Sequence, residues 1–296
     1  MVAALLIPIL IAAVVQAAPA APPLPSDPIE ADWRTIPDDE VMVMTLRGGD
    51  RVAIRLAPAL APEHVANVRR LALAHWWDGT SVYRVQDNWV TQWGDQTERK
   101  PLPPDIVARP AAEFDLSGGF RPARRMSVAD AYSGASGITA DGWAVAAARS
   151  DKGLVPDGAP GWLVHCYGTV GVGRDGLPDT GTGAELFMPI GGSARRLDRN
   201  YTIVGRVIEG ASQLSGLPRS EAPMGMYATD AERLPIVSVR LASDMPAAMR
   251  PHYQYRAADN PRFRALIDLK EHPEPPVTGL GGLDVCDVPL ATRIRP

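Results

Sequence analysis

The stretch from residue 81 to residue 95, SVYRVQDNWVTQWGD, constrains the fold more than any other part of the chain. Its aromatic and β-branched residues are typical of strands, and Asp87-Asn88 is a turn signal near its centre, so it predicts two short strands joined tightly. In such a hairpin Arg84 and Gln92 face one groove, and Trp89-Val90 borders it. A charged guanidinium and an amide beside an apolar ring suit a peptide carbonyl. The alternative is a surface hairpin with one solvated arginine.

The composition and motifs exclude several classes of function. The formal net charge is −4 and the basic residues are scattered, so we expect no nucleic-acid partner. The five histidines have no metal-ligand spacing and there is no CxxC pair, so the sequence predicts no metal site, no redox dithiol and no cofactor. Gly171–Gly176 matches GxGxxG, but Leu177-Pro178 cannot open the helix that a dinucleotide site requires.

The first residues of the chain are apolar from position 2 to position 18, with small residues near a plausible cleavage site. This pattern predicts a signal peptide over residues 1–20, and therefore a periplasmic or secreted protein with no integral membrane span after cleavage. An uncleaved membrane anchor is the alternative, because the usual positive segment is missing. Residues 21–38 are rich in proline and alanine and predict a linker.

Three segments carry motifs in a fixed order. They are Val82-Tyr83-Arg84 with Trp89-Val90 and Gln92-Trp93-Gly94-Asp95, then Gly168–Arg174 with Ala184–Phe187, and finally Leu197–Val207. These segments resemble the cyclophilin family of peptidyl-prolyl cis-trans isomerases, whose first hallmark is Phe-His-Arg, a spacer, and Phe-Met-x-Gln-Gly-Gly-Asp. In the third segment Tyr201 stands where the family often has histidine. The resemblance covers about residues 40 to 242 and looks like a divergent, exported bacterial-type member.

The resemblance implies an isomerase that assists the folding of exported proteins and binds their proline-containing segments. It assigns catalysis to Arg84 and Gln92, with Arg84 stabilising the twisted prolyl amide. The residues that it places in substrate binding are Tyr83, Trp89, Val90, Gly173, Arg174, Glu185, Phe187, Leu197 and Tyr201. Phe187 is expected on the floor of the proline pocket.

Some of these positions depart from the family pattern. Glu185 replaces a glutamine, Val90 replaces a methionine, and Trp89 replaces a phenylalanine. Valine predicts a shallower proline site, and tryptophan fills part of that space, so we expect weaker or narrower activity. The alternative is a non-catalytic cyclophilin-like module that binds proline-containing peptides as a chaperone. The retained arginine and glutamine favour the enzyme.

The expected fold is mainly β: a closed antiparallel eight-stranded cyclophilin-like β-barrel with flanking helices over residues 39–242. Residues 41–46 and 51–56 are β-prone runs on either side of Gly48-Gly49-Asp50, which predicts an opening hairpin. Pro62-Glu63 starts a helix with proline in its first turn and an acid near its positive end. The predicted apolar face of this helix consists of Val65, Val68, Leu71, Ala72 and His75.

Two regions exceed what the resemblance covers. Residues 115–160 form an insertion whose glycines argue against regular structure, apart from a short strand or turn at residues 144–149, and which either contacts substrate or is merely tolerated. Residues 243–296 form a C-terminal extension with a helix at 261–270 and otherwise irregular structure. Cys166 and Cys286 suit an oxidising compartment, either as a disulfide tethering the tail or as two buried thiols.

Overall fold

The computed structural model describes residues 26–128, 130–151, 153–273 and 281–295. The α-helices are α1 Pro62–Leu73, α2 Ala211–Ser215 and α3 Pro261–Glu271. The first strands are β1 Trp33–Thr35, β2 Val41–Leu46, β3 Arg51–Leu56, β4 Ser81–Val85, β5 Val90–Gly94, β6 Arg124–Arg125, β7 Ala135–Ile138 and β8 Ala144–Ala147. The remaining strands are β9 Gly161–Leu163, β10 Thr169–Val172, β11 Leu186–Pro189, β12 Ile203–Glu209, β13 Leu234–Leu241, β14 Tyr253–Arg256 and β15 Thr292–Ile294.

Eight strands close into a barrel in the order β10-β11-β5-β4-β13-β2-β3-β12, and every neighbouring pair is antiparallel. The predicted eight-stranded barrel and its opening β2–β3 hairpin are therefore confirmed. Alternate side chains of each strand point inwards. Met42 and Met44 of β2 and Ile54 of β3 belong to the main core, whereas Val41 and Val43 belong to a separate cluster outside the barrel.

Helix α1 packs its apolar face into the barrel core. Proline stands in its first turn, as predicted, and Val65, Val68 and Leu71 are buried. The prediction was wrong for His75, because the helix ends at Leu73 and His75 is exposed with φ of 54°. This left-handed residue redirects the chain, so that the following tryptophans enter the core instead.

The insertion is more regular than its glycines predict. Strands β6-β7-β8-β9 form a four-stranded antiparallel sheet with apolar residues on both faces. On β8, Val145 packs towards the barrel, while the neighbouring Ala144 and Ala146 pack with Phe263 of α3. One glycine of the insertion, Gly137, lies within a strand, where a Cβ would come within 2.4 Å of the backbone oxygen of Arg124.

The C-terminal extension is also more regular than expected. The predicted helix is confirmed as α3, with the Asn260 side chain accepting from the Phe263 backbone N–H at its start. Strand β14 pairs with β1 on one side and β15 on the other, and residues 281–284 are irregular as predicted. The extension therefore contributes two strands that sequence patterns missed, because each pairs with a segment far away along the chain.

Of the two alternatives for the cysteines, the structure contains the disulfide. Cys166 and Cys286 are bonded, with Cα atoms 5.1 Å apart and a separation of 120 positions in the sequence. The bond ties the segment before β10 to the extension, which excludes the alternative of two free thiols. The predicted signal peptide and residues 21–25 of the predicted linker lie outside the described residues. Residues 26–38 of the predicted linker are described; they include β1, which pairs with β14, and the buried Ile36. In the part of the chain that the structure describes, no helix has the length and apolarity needed to cross a membrane.

Candidate active site

The β4–β5 hairpin places Arg84 and Gln92 side by side. They are direct partners in the antiparallel register, so both side chains leave the sheet on the same face. The chain turns at Asp87 and Asn88, and Asn88 adopts φ of 51°, a conformation that asparagine tolerates better than most residues. The predicted pair of strands around this turn is confirmed.

A groove with a volume of about 460 Å³ opens beside this hairpin. It is bordered by every residue that the sequence proposed for catalysis or substrate binding. These residues are Tyr83, Arg84, Trp89, Val90, Gln92, Gly173, Arg174, Glu185, Phe187, Leu197 and Tyr201. None of the described residues of the insertion or the extension lines it, so the structure gives no support to a substrate contact by the insertion.

An apolar cluster forms one wall of the groove. Val90, Phe187 and Leu197 are buried in this cluster, and Trp89 and Tyr201 pack against it. The Phe187 ring meets the Tyr201 ring edge-on, with centroids 5.5 Å apart. Behind it, His165 stacks on Phe187 at 5.9 Å. The Phe187 ring is therefore held from two sides in a fixed orientation, as the floor of an apolar pocket requires.

Three protein acceptors hold the guanidinium of Arg84. Its Nε donates to the carbonyl of Met224 at 2.7 Å, its Nη1 donates to Oε1 of Gln92 at 3.0 Å, and its Nη2 donates to Oε1 of Gln86. Because a guanidinium carries five N–H groups, two donors remain for a ligand in the groove. Burial lowers the pKa of Arg84, but arginine remains protonated in proteins, so the site keeps its positive charge.

A chain of hydrogen bonds continues from Gln92 away from Arg84. The Nε2 of Gln92 donates to the hydroxyl of Tyr83 at 2.5 Å, and that hydroxyl donates to Oε2 of Glu185 at 2.6 Å. The other carboxylate oxygen of Glu185 accepts from the backbone N–H of Asp95 at 2.7 Å. We call the series Arg84, Gln92, Tyr83 and Glu185 the hydrogen-bond relay. Every donor in it points towards Glu185.

The carboxyl group of Glu185 has an unusual environment. Burial raises its pKa to about 7, against the opposing effect of its hydrogen bonds from Tyr83 and Asp95. Burial and the neighbouring carboxylate likewise raise the pKa of Tyr83, so its hydroxyl stays protonated and acts as a donor. Gly94 makes room for this carboxylate, since a Cβ there would lie 2.2 Å from Oε1 of Glu185.

Gly173 and Arg174 form the opposite rim of the groove. A Cβ at Gly173 would lie only 3.0 Å from the Cβ of Glu185, so a small residue suits this close contact. The Arg174 guanidinium lies over the Tyr201 ring, 4.7 Å from its centroid, and its Nε donates to the carbonyl of Asn200. Arg174 therefore braces Tyr201, and its charge lies at the groove entrance.

Sequence reasoning missed the loop that covers Arg84. Met224 and Met226 line the groove, and the Met224 carbonyl accepts from Arg84. Gly225 between them has φ of 74°, and a Cβ there would lie 2.6 Å from the Cα of Gln86. A glycine indicates that another part of the backbone lies close by. The sequence does not indicate that this part is Gln86, the residue that follows β4.

Comparison with known proteins agrees with this geometry. The family described as "Cyclophilin type peptidyl-prolyl cis-trans isomerase/CLD" matches residues 41–240. This chain belongs to the cyclophilin family. Among solved structures, cyclophilin AquaCyp293 from Hirschia baltica is 25% identical to this cyclophilin, with a TM-score of 0.67 and coverage of 88% of this chain and 93% of that one.

A more distant solved structure is a cyclophilin type peptidyl-prolyl cis-trans isomerase from Cryptosporidium parvum, determined in the presence of the dipeptide Ala-Pro. It is 12% identical to this cyclophilin, with a TM-score of 0.40 and coverage of 68% of this chain and 98% of that one. No curated protein sequence matches the chain. Within the described residues of this cyclophilin, no cluster of histidine, cysteine, aspartate and glutamate side chains is arranged to hold a metal ion.

Proposed function

We propose that this cyclophilin catalyses cis–trans isomerisation of X-Pro bonds in exported proteins, with Arg84 as the residue that stabilises the twisted amide. The observation that carries the proposal is the position of Arg84. Its guanidinium borders the groove beside Gln92, its cross-strand partner, and next to an apolar cluster that contains Val90 and Phe187. A charged donor and an apolar pocket on one groove are the two features that a prolyl ring and its peptide bond require.

The reaction needs no bond to be made or broken. Rotation about a peptide bond meets a barrier of about 18–20 kcal/mol because the C–N bond has partial double-bond character. As the bond twists, conjugation is lost and the prolyl nitrogen gains a lone pair. A hydrogen bond from Arg84 to that nitrogen is strong mainly in the twisted state, so it lowers the barrier rather than merely binding the substrate. The two uncommitted N–H groups of Arg84 supply this donor.

Gln92 has the complementary task of holding the substrate backbone. Its carbonyl oxygen accepts from Arg84, and one of its amide hydrogens goes to Tyr83. The second amide hydrogen remains for a substrate carbonyl. The relay therefore fixes which atom of Gln92 faces which partner, because exchanging its amide nitrogen and oxygen would bring two donors together at Arg84.

Exported clients are proposed because of the oxidising chemistry of the chain. Structural disulfides persist in secreted and periplasmic proteins and are rare in the cytosol. The Cys166–Cys286 bond fits such a compartment, as does the apolar run expected to be a signal peptide. Newly exported proteins arrive unfolded, and uncatalysed X-Pro exchange takes about tens to hundreds of seconds, so an isomerase there has a substrate.

The test is NMR exchange spectroscopy on a short X-Pro peptide with the native protein and with Arg84→Ala. Removing one preorganised donor from a site that stabilises developing charge costs about 100-fold to 1,000-fold in rate, and we expect a loss of kcat/KM of that size. Arg47→Ala is the matched control, because Arg47 is an exposed arginine in the β2–β3 turn and does not line the groove. Circular dichroism checks that each variant is folded.

Three outcomes are distinguishable. Arg84-dependent exchange supports the enzyme. Full exchange in a folded Arg84→Ala variant would remove the mechanism. If the native protein changed the NMR chemical shifts of the peptide without accelerating its exchange, the protein would be a module that binds proline-containing peptides. The substitutions at Glu185 and Val90 are the reason for testing this alternative.

A further inference from the structure

A second pocket lies on the far side of the barrel wall. It has a volume of about 180 Å³ and is enclosed by three parts of the chain: the outer face of β10 and β12, the insertion sheet, and the segment of the extension that follows Asp284. Most of its lining is apolar, including Leu163, Val285, Val288 and Leu290. Tyr167, which is 54% exposed, lies at its edge and marks its opening to solvent. None of these residues belongs to the proline groove.

One cation borders this apolar pocket. Arg206 of β12 lines it, and the Nε of Arg206 is buried without a hydrogen-bond partner. Across the described residues, no salt bridge and no side-chain hydrogen bond engages Arg206; its guanidinium carbon lies 5.9 Å from the centroid of the Trp143 ring. Burial, with a smaller contribution from the charge of Arg55, lowers the pKa of Arg206 to about 9. The Arg206 side chain is half-buried, and a partly desolvated charge without a protein partner is costly.

The surrounding strands increase this cost. Arg206 on β12 is the direct partner of Arg55 on β3, so two arginines lie opposite each other on the outer face of the barrel. Like charges at directly opposite positions destabilise a sheet. Arg55 has compensation: it donates to the backbone carbonyl of Asp141 at 2.7 Å and its guanidinium lies 4.0 Å from the centroid of Tyr255.

The nearby acid is already committed. Asp141 accepts from Thr139 through Oδ1 at 2.7 Å, and from the Trp143 indole at 2.8 Å and Arg55 at 3.5 Å through Oδ2. Asp141 therefore engages Arg55 and makes no hydrogen bond to Arg206. The charge of Arg206 is left without a carboxylate of its own, and it lies beside a pocket that opens to solvent.

We propose that this pocket binds the carboxylate of a small apolar acid, with Arg206 as the group that anchors it. The apolar lining selects an aliphatic or aromatic body, and the single cation selects a monoanion. A phosphate would need more donors than the pocket offers, because the hydroxyl of Thr169 donates to the Cys166 carbonyl and that of Tyr167 pairs with Ser215. Drug-sized ligands occupy pockets of about 300–1,000 Å³, so this one holds a smaller molecule or a single terminal residue of a peptide.

The experiment titrates the full-length protein with isovalerate and follows the thermal midpoint and the NMR signals of Trp143. A ligand that binds only the native state raises the midpoint in a concentration-dependent way. We expect millimolar isovalerate to raise it in the native protein and in Arg47→Met, which loses the same charge from an exposed turn. In Arg206→Met the affinity falls at least tenfold, while the variant stays folded because methionine suits the apolar pocket. Isovaleramide, the neutral isostere, binds at least tenfold more weakly than isovalerate.

Different results of this experiment lead to different conclusions about the pocket. Equal binding of acid and amide, or unchanged binding in Arg206→Met, would overturn the proposal by showing an apolar cavity without an anion site. No response to isovalerate or to a peptide ending in valine would overturn it as well. Binding of isovalerate alone identifies a free acid as the ligand, and tighter binding of the peptide identifies a chain terminus. Arg84→Ala should bind the acid normally, so this outcome is independent of isomerase activity.

Discussion

At the scale of single residues, the relay shows how one substitution changes the chemistry of the groove. Glu185 stands where the family has glutamine, and it ends a series of hydrogen bonds that begins at Arg84. In its ionised form the Glu185 carboxylate can only accept, so Tyr83 donates to it and accepts from Gln92. The direction of each bond follows from the charges at the two ends. The arginine and the carboxylate together fix the orientation of Gln92, although they do not touch.

This arrangement predicts a pH dependence of stability. Since burial raises the pKa of Glu185 from its ordinary 4.5 to about 7, the folded state binds a proton that the unfolded state has released between these values. Stability from this group is therefore fully present below about pH 4.5 and is lost as the pH rises through 7. A shift of this size corresponds to about 3 kcal/mol.

The measurement is urea unfolding of the native protein and of Glu185→Gln at pH 5 and pH 8. We expect the free energy of unfolding of the variant, minus that of the native protein, to increase by about 2.5 kcal/mol from pH 5 to pH 8, because a small part of the effect is already present at pH 5. Glu221→Gln, at an exposed position, removes the same charge and should show no such change. A difference for Glu185→Gln that is the same at both pH values would show that this carboxyl titrates normally.

The residues of the groove were largely predictable from the sequence, whereas their connections were not. The alternating direction of side chains along a strand, together with the turn signal at Asp87-Asn88, is enough to predict that Arg84 pairs with Gln92. The family motifs predict the positions of Phe187 and Tyr201 in the groove. The contact between Tyr83 and Glu185 joins residues 102 positions apart. Nothing in a local pattern specifies such a pairing. The Met224 carbonyl was missed for the same reason, since a backbone acceptor has no signature in residue type.

At the scale of elements, hairpins and helices within one segment were predicted from local patterns and the closed barrel from the family resemblance, whereas the long-range pairings outside the barrel were not predicted. The β2–β3 hairpin and α3 are read from periodicity and turn signals over a few residues. Strand β14, in contrast, is stabilised by β1 and β15, which are distant in the chain. The sheet of the insertion was missed because its strands are short and rich in alanine and glycine, which are weak strand formers whose pairing depends on burial between two layers.

The disulfide gives a prediction at this scale. It closes a loop of 120 residues, for which the chain-entropy model gives about 5 kcal/mol of stabilisation as an upper value. We expect Cys286→Ser to lower the free energy of unfolding and to accelerate amide exchange in β14 and α3 more than in β4 and β5, because the extension loses its covalent tie. Hydrogen exchange measured by mass spectrometry resolves these segments. Cys166→Ser should behave alike, and equal protection of the extension with and without the bond would contradict the tether.

At the scale of the whole molecule, the chain is built in layers that separate the groove from the added regions. The insertion sheet lies between the barrel on one side and α3 on the other, with a distinct apolar cluster in each contact. Neither layer reaches the proline groove. Phe263 at the centre of the α3 contact and Phe187 on the groove wall are both buried aromatic rings, with 0% and 4% exposure. They therefore form a matched pair for testing whether the layers affect catalysis.

Replacing a buried phenylalanine by alanine costs about 3–5 kcal/mol through lost burial and the cavity left behind, so Phe263→Ala and Phe187→Ala should destabilise the protein to a similar degree. Their effects on isomerase activity should differ. Phe263→Ala, measured by NMR exchange at a temperature where the variant is folded, should keep the native kcat/KM, because its contacts lie in the outer layer. Phe187→Ala should lose most of it, because the proline pocket loses its floor. If Phe263→Ala reduced the activity of the folded protein as strongly as Phe187→Ala does, the extension would be part of the catalytic unit. The layers would then be separate in structure but not in their effect on catalysis.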